Sequence, residues 1–519
     1  MTYHRHSGIL LHPTSLPGPH GSGDLGPAAF HFVDWLVAAG QTLWQILPLG
    51  GVGPGNSPYM SPSAFAGNEL LIDLGRLRDA GWLTDADIAP DPLFKRERVD
   101  YALVRPFRMS RLRLAAERFF ADPRKDAHRD FLAFCKDESD WLEDYALFMA
   151  LDRKLAPLGQ VWQDLPPDLA LRKTATLRET AKSLAAECSF WKFCQWCFDV
   201  QWANLKRYAN DHGVRIVGDM PIFVSAHSAD VWAHQRLFDL DGQGRPRVVA
   251  GVPPDYFSAT GQHWGNPLYK WSEHQKDGYQ WWAERLRRTF KLCDMVRIDH
   301  FRGFESYWEI PAHAKTAIDG QWMPGPGSAF FTEMRKALGF AGSKDPGAFH
   351  IIAEDLGIIT AKVTALRKAV GLPGMRILQF AFDGHSDNPY LPHNYESHTV
   401  VYTGTHDNDT TCGWWLSLQE HEKDYVRRYF GIDGHAINWD FIHAASASVA
   451  AVSIVPFQDV LGLDSSARMN SPGKMEGSWE WRFFWDQTAP WHAERMKEMA
   501  RLHGRMPRRR ADEGLPPGH

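Results

Sequence analysis

Residues 294–303 read DMVRIDHFRG, a short apolar run that ends in charged residues. The run predicts a buried β-strand, and residues two positions apart in a strand face the same side. Arg297 and Asp299 should therefore lie side by side at the end of this strand. A guanidinium beside a carboxylate keeps the carboxylate ionised at neutral pH. Such a carboxylate suits a covalent nucleophile or a metal ligand, and the rest of the chain has to decide between the two.

The composition of the chain indicates a globular protein with a large core. It has 519 residues, 44% of them hydrophobic, with a net charge of -5 and a pI of about 6.6, so no basic nucleic-acid footprint is expected. No apolar run approaches the roughly 20 residues of a membrane span, and the N-terminus lacks a signal-peptide pattern. The six scattered cysteines suit a reducing compartment. We expect a cytoplasmic protein with no nucleic-acid or membrane partner.

Short apolar runs recur along the chain with helical patterns between most of them. Parallel strands that are covered on both faces read as near-continuous apolar runs. Eight such runs alternating with helices predict an α/β fold, a (β/α)8 TIM-type barrel. The runs are Gly8–His12, Leu43–Leu49, Arg215–Pro221, Met295–Asp299, Ile351–Asp355, Met375–Phe380, Thr399–Thr403 and Val452–Phe457.

Two gaps between these runs are too long for simple loops. The first, at about 50–214, has helical periodicity and predicts a large, mostly helical insertion. The second, at about 223–271, is rich in Gly, Pro, Asp and Tyr and predicts a loop subdomain that covers the cleft. We expect one catalytic domain over 1–519 that carries both insertions and has no C-terminal β-sandwich. Residues 503–519 are expected to form a flexible tail.

Acidic residues follow four of the predicted strands. They are Asp219, Asp299, Glu354 with Asp355, and Asp407 in Gly404-Thr405-His406-Asp407-Asn408-Asp409. A single acidic residue after a strand often only caps a helix. However, the C-terminal strand ends of such a barrel meet at one mouth, where the chemistry of this fold takes place. Four acidic strand ends at one mouth predict an active site.

Asp299, Glu354 and Asp407 are the candidate catalytic carboxylates. Two carboxylates across a glycosidic bond are the minimum for glycoside chemistry. Asp299 suits the nucleophile because Arg297 would hold it ionised, and Glu354 suits the acid because the apolar run before it would raise its pKa. Asp407 would bind sugar hydroxyls and stabilise an oxocarbenium-like transition state. Asp355 points to the opposite face and is expected to cap a helix or to play a structural part.

A metal site is the competing interpretation of the same region. His263, His300 and His406 lie near the predicted mouth, and Asp and His after strands can bind zinc. These motifs contain no H-x-H or H-E-x-x-H pair, which disfavours a metal. Cys194 and Cys197 form half of a zinc-site pattern, but no second pair follows at a suitable spacing. They lie in an aromatic helical segment, so we expect them to pack in the core.

Eight ordered motifs together resemble the amylomaltase (4-α-glucanotransferase, disproportionating enzyme) family over nearly the whole chain. A lone short motif would be weak, whereas eight in order at compatible spacing are highly specific. The motifs are SGILLHPTSLPGPHGSGDLG, SPYMSPSAFAGNELLIDL, GDMPIFVSAHSADVWA, VAGVPPDYFSATGQHWGNPLYKW, VRIDHFRGF, IIAEDLG, VYTGTHDNDT and LGLDSSARMNSPG. The insertion at about 71–189 matches only loosely, and the tail beyond about Leu502 carries no family motif.

The resemblance implies a role for particular residues. The family's nucleophile matches Asp299, its acid–base residue matches Glu354, and its transition-state stabiliser matches Asp407. Its substrate contacts match Tyr59, Asp219, Arg297 and His406, and we add His300 from the nucleophile's own motif. Gln262 and Trp264 match a mobile loop on the acceptor side of the family's cleft.

The resemblance also implies a reaction. Family members transfer a segment of α-1,4-glucan to the 4-hydroxyl of glucose or another glucan, with retention and through a covalent glucosyl-Asp. The expected partners are maltooligosaccharides, amylose or glycogen-derived dextrins, and glucose as acceptor, with no cofactor. The alternatives are an α-1,4-glucan hydrolase on a related barrel and a non-catalytic glucan-binding protein. The resemblance favours transfer over hydrolysis, whereas residue chemistry alone does not.

Overall fold

The structure, a computed structural model, describes residues 5–122, 125–254, 258–340, 350–474 and 476–507. Its strands are β1 (His6–Leu10), β2 (Leu43–Gln45), β3 (Arg215–Pro221), β4 (Val248–Val252), β5 (Gln262–Pro267), β6 (Met295–Asp299), β7 (Ser306–Pro311), β8 (Gln321–Pro324), β9 (Ile351–Ala353), β10 (Gly374–Ile377), β11 (Thr399–Tyr402) and β12 (Val452–Pro456).

Eight parallel strands form a nearly closed barrel in the order β10-β11-β12-β1-β2-β3-β6-β9. Each of these strands overlaps one of the eight apolar runs, although β1 and β10 begin one or two residues earlier than predicted, and the predicted (β/α)8 barrel is confirmed. The register of β3 against β6 places Asp219 opposite Arg297 and Pro221 opposite Asp299. The register therefore brings residues 78 positions apart along the chain to the same level of the barrel mouth.

The barrel is closed between β9 and β10 by a backbone bond and a side chain. The amide of Ala353 donates to the Pro373 carbonyl at 2.9 Å. The carboxylate of Asp355 accepts a hydrogen bond from the amide of Met375 at 2.7 Å. This approach requires Gly374, because a Cβ at that position would lie 2.4 Å from Asp355 Oδ2. Asp355 is thus a structural partner, as one of its two predicted roles required.

The helices surround the barrel and fill its first insertion. They are α1 (Pro27–Ala38), α2 (Leu74–Asp79), α3 (Tyr101–Ala121), α4 (Lys125–Asp137), α5 (Ser139–Leu155), α6 (Pro167–Ala170), α7 (Thr174–Ser183), α8 (Ala185–Asp211), α9 (Ala229–Ala233), α10 (Trp271–Lys276), α11 (Gln280–Leu292), α12 (Gly327–Ala337), α13 (Ala361–Ala369), α14 (Thr411–Ser417), α15 (Glu420–Phe430), α16 (Ile437–Ala447), α17 (Phe457–Val460) and α18 (Pro490–Leu502). Helices α2–α8 occupy the segment between β2 and β3, where sequence periodicity predicts a helical insertion.

Helix α8 joins this insertion to the barrel. It is 27 residues long, and the indole of Trp202 in its second half donates to the carbonyl of Leu292 at 2.8 Å. Cys194 and Cys197 are both buried in the hydrophobic core. Burial raises the pKa of both thiols well above the usual range. They are packing residues, as predicted.

A second sheet lies outside the barrel. It has four antiparallel strands in the order β5-β4-β7-β8. The sequence predicts a loop subdomain at about 223–271, and in the structure that segment contributes β4 and β5. The other two strands follow β6 directly. The sheet therefore pairs one barrel loop with the segment that follows the candidate nucleophile.

The prediction of a flexible tail over 503–519 is wrong at Arg505. This residue is fully buried, and its guanidinium lies at the end of the barrel where strands β1 and β12 begin. It donates hydrogen bonds to the carbonyl oxygens of His6, Ser446, Ser448, Ala450 and Ala451. The rest of the predicted tail, 508–519, lies outside the described residues. Each helix that the structure describes is too short or too polar to cross a membrane.

Candidate active site

Arg297 lies at the centre of the barrel mouth and pairs with two carboxylates. Its Nη1 donates to both oxygens of Asp219 at 2.7 Å, and its Nη2 donates to Asp299 Oδ1 at 2.9 Å. Burial alone would lower the pKa of Arg297, but the two carboxylates raise it well above its usual range. The side-by-side placement of Arg297 and Asp299, predicted from strand periodicity, is confirmed.

Tyr59 connects this pair to the strand end on the other side of the mouth. Its hydroxyl donates to Asp219 Oδ2 at 2.8 Å and also lies 2.8 Å from His406 Nε2. A phenol has a single hydrogen, and here it points to Asp219. His406 must therefore donate from Nε2 to the phenol oxygen, which fixes its tautomer. Burial raises the pKa of Tyr59 well above its usual range, so the phenol stays protonated.

Asp407 is held by two residues that are not among the predicted site residues. The side-chain amide of Asn470 donates to Asp407 Oδ1 at 2.6 Å. Arg468 donates to the Asp407 carbonyl at 2.9 Å. Both belong to the quoted motif LGLDSSARMNSPG, so the segment carried a signal, although nothing in it indicated which side chains face the mouth. Asp407 Oδ2 lies 3.4 Å from His406 Nε2.

Glu354 has the most enclosed carboxyl group of the three candidates. It is buried, whereas 31% of the Asp299 side chain and 43% of the Asp407 side chain are exposed. Its oxygens accept hydrogen bonds from the amides of His300 at 2.7 Å and Leu356 at 2.8 Å. Burial and the nearby charge of Asp299 nevertheless raise the pKa of Glu354 to about 8. The carboxyl group is therefore predominantly protonated at neutral pH.

The acceptor-side candidates lie on the second sheet. Trp264 on β5 packs its ring edge-on against His300, with centroids 4.9 Å apart. Gln262 is exposed, and its side-chain oxygen accepts a hydrogen bond from the Trp264 indole at 3.1 Å. Strand β5 thus places Trp264 beside the residue that follows Asp299. All of the predicted site residues lie at the barrel mouth or on the strand beside it.

The same residues can be tested as metal ligands. Among the described residues, no three His, Cys, Asp or Glu side chains come together in a way that could hold a metal ion. His300 is buried, its pKa is lowered to about 4 by desolvation, and its Nε2 has no hydrogen-bond partner in the part of the chain that the structure describes. His263 is exposed on β5. The three histidines that motivated the metal interpretation do not converge.

Most of the chain is similar to one known protein family and to members of it. The family model described as 4-alpha-glucanotransferase matches residues 11–486. The 4-alpha-glucanotransferase of Thermus thermophilus is 48% identical over 507 residues, which cover 96% of this chain and 99% of the relative. The 4-alpha-glucanotransferase of a Synechocystis strain is 46% identical over 504 residues, which cover 96% of this chain and 98% of the relative.

Comparison with solved structures agrees with the sequence relatives. An amylomaltase from Streptococcus agalactiae, solved in complex with acarbose, has a TM-score of 0.92 and 37% sequence identity. The match covers 97% of this chain and 100% of that chain. The similarity therefore includes the barrel, its helical insertion and the second sheet together.

Proposed function

This chain belongs to the 4-alpha-glucanotransferase family, and from that membership we propose a retaining transfer mechanism for it. The enzyme moves α-1,4-glucan segments from a donor maltooligosaccharide, amylose or glycogen-derived dextrin to the 4-hydroxyl of glucose or another glucan. Asp299 attacks the anomeric carbon and forms a covalent glucosyl-enzyme. The acceptor then displaces Asp299, which gives retention after two inversions.

One observation carries this proposal: two neighbouring carboxyl groups lie in opposite environments. Asp299 is paired with the Arg297 guanidinium and partly exposed, while burial raises the pKa of Glu354 to about 8. A difference in environment lets an enzyme use one carboxyl group as a nucleophile and another as an acid. We therefore assign attack to Asp299 and proton transfer to Glu354.

Glu354 acts twice in this cycle. It first protonates the oxygen that leaves with the donor's reducing-end portion, and it then removes the proton from the attacking 4-hydroxyl. Its two amide donors, from His300 and Leu356, fix the carboxyl group in one orientation for both steps. This orientation supports a single residue acting as both acid and base.

The remaining residues bind the reacting sugar. Asp407 is positioned by Asn470, and its exposed carboxylate stabilises positive charge that develops at the anomeric carbon. Asp219, Tyr59 and His406 form a hydrogen-bonded line across the floor of the mouth. Their donors and acceptors are suited to sugar hydroxyls, and Trp264 and Gln262 on β5 would contact the acceptor.

The pH dependence of transfer follows from the state of Glu354. Its acid form is needed to protonate the leaving oxygen, so kcat/KM for maltotriose should fall as the pH rises through about 8. The measurement is kcat/KM across the neutral and alkaline range. α-Glucosyl fluoride is the control, because fluoride leaves without needing a proton. With this donor the fall of kcat/KM at high pH, the alkaline limb of the pH profile, should largely disappear. An identical limb with both donors would contradict the assignment.

A product balance tests transfer itself. Incubation with maltotriose should yield both shorter and longer maltooligosaccharides while the number of reducing ends stays constant, because each broken bond is replaced by a new one. Chromatography of the products with a parallel reducing-end assay measures both quantities. Reducing ends that rise with each bond broken would favour the hydrolase, and no products at all would favour a glucan-binding protein.

A further inference from the structure

His300 has an unusual backbone at a point between the two reacting carboxyl groups. Its φ is 52°, in the left-handed region, directly after the strand that ends with Asp299. Residues other than glycine rarely occupy this region, although histidine does so more often than most. Such strain persists only where the surrounding structure enforces it, and it clusters at functional sites.

The left-handed turn directs two backbone amides towards Glu354. The His300 amide donates to Glu354 Oε2 at 2.7 Å, and the Phe301 amide donates to the Glu354 carbonyl at 3.1 Å. An extended backbone at His300 would turn these two successive amides apart, so that both could not reach Glu354. The orientation of the Glu354 carboxyl group therefore depends on the conformation of His300.

The side chain of His300 supports the acceptor side of the cleft. Its imidazole meets the Trp264 ring at 84°, in the edge-to-face arrangement that aromatic rings favour. Phe223 packs against the same imidazole at 6.4 Å. This support matters for Trp264 because β5 is an edge strand of its sheet and, among the described strands, pairs with β4 alone. The imidazole is buried and neutral, so it adds no charge beside Asp299.

We propose that His300 is a positioning residue that couples the acid–base carboxyl group to the acceptor wall. Its backbone orients Glu354, and its ring holds Trp264 over the position from which the acceptor attacks. Removing the ring should free Trp264 to move and admit water, which competes with the sugar for the glucosyl-enzyme. This inference rests on the roles proposed above for Glu354 and Trp264, and it assigns His300 to the choice between transfer and hydrolysis.

A double-mutant cycle between His300 and Trp264 tests the coupling. Asn tolerates the left-handed backbone, so His300→Asn removes the ring while keeping the turn. We expect His300→Asn and Trp264→Ala each to lower the ratio of transfer to hydrolysis about tenfold, and the double variant to lower it about tenfold rather than about a hundredfold. The ratio comes from product chromatography and reducing-end counts with maltotriose. Additive effects, or an unchanged ratio in His300→Asn, would overturn the proposal.

A second pair of variants separates the backbone from the ring. His300→Gly keeps the turn and loses the ring. Its ratio of transfer to hydrolysis should match that of His300→Asn, and its kcat/KM for maltotriose should fall at the same alkaline pH as in the unchanged enzyme. In His300→Val a β-branched residue opposes the turn, and loss of the amide bond to Glu354 should move the limb to higher pH. An equal limb in both variants would refute the backbone role. Trp491→Ala, at an exposed tryptophan on α18, is the control and should combine additively with His300→Asn.

Failure of this inference can be distinguished from failure of the proposed function. If Asp299 and Glu354 variants lose transfer while the His300 and Trp264 changes are additive, only the coupling is wrong. If the Asp299 variant retains transfer, the mechanism on which the coupling depends is wrong. Circular dichroism of each variant shows whether it folds, and His300→Gly keeps the test available if His300→Asn does not.

Discussion

Replacing Asp299 with Asn is expected to lower glucan transfer from maltotriose by about 10,000-fold or more, because an amide cannot form the glucosyl ester. The fold should survive the change. Arg297 loses one ion pair but keeps its two contacts with Asp219 at 2.7 Å. Initial rates of oligosaccharide formation, measured by chromatography, give the size of the loss.

The control for this variant is an exposed carboxylate of the same kind. Asp387 is exposed in the loop between β10 and β11, and Asp387→Asn should leave the rate within about twofold of the unchanged enzyme. Thermal unfolding of both variants verifies that neither is destabilised. Substantial transfer by a folded Asp299→Asn variant would rule out Asp299 as the nucleophile.

Replacing Glu354 with Gln is expected to lower transfer from maltotriose by about 100- to 10,000-fold, the range for loss of a general acid–base group. Glutamine has one acceptor oxygen where Glu354 uses two, for the amides of His300 and Leu356. One amide thus loses its partner, at a cost of about 1–3 kcal/mol in stability. The measurement is the same chromatographic rate, with denaturant unfolding to quantify the stability loss.

The leaving group distinguishes a chemical role for Glu354 from a structural one. With α-glucosyl fluoride the first step needs no acid. Asp299 in the Glu354→Gln variant should therefore still attack this donor and release fluoride. The second step lacks its base, and a glucosyl-enzyme should accumulate and be detectable by mass spectrometry on the peptide that contains Asp299. Equal loss of activity with maltotriose and with the fluoride would point to misfolding instead. Glu117→Gln, at an exposed helical position, serves as the matched control.

The eight barrel strands were predictable because burial on both faces leaves a direct record in the sequence. Runs such as Met295–Asp299 are apolar throughout except where they reach the mouth. The helical insertion was predictable for a similar reason, since helical periodicity persists over many residues in α5 and α8. The four-stranded sheet was not, because its short strands contain Gly and Pro and because β4 pairs with β7, where Val248 lies opposite Pro311 across a long stretch of sequence.

The candidate carboxylates were predictable from the position of each residue after a strand, and the resemblance to a known family gave them roles. Their supports were not predictable. Asn470 holds Asp407 across 63 positions of sequence, and Tyr59 reaches His406 across 347. The left-handed turn at His300 exists because Glu354 and Trp264 enclose it. None of these contacts has a local sequence pattern.

The sequence alone determined the barrel, the helical insertion and the three carboxylates at its mouth, because hydrophobic burial and strand periodicity act on neighbouring residues. The sequence also predicted opposite environments for Asp299 and Glu354, but only the tertiary structure supplied the contacts that create them. Glu354 is protonated because burial and Asp299 raise its pKa, while Asp299 lies beside the Arg297 guanidinium. A pKa depends on charges and solvent within a few ångströms, and those distances are set by strand register and barrel closure across hundreds of residues.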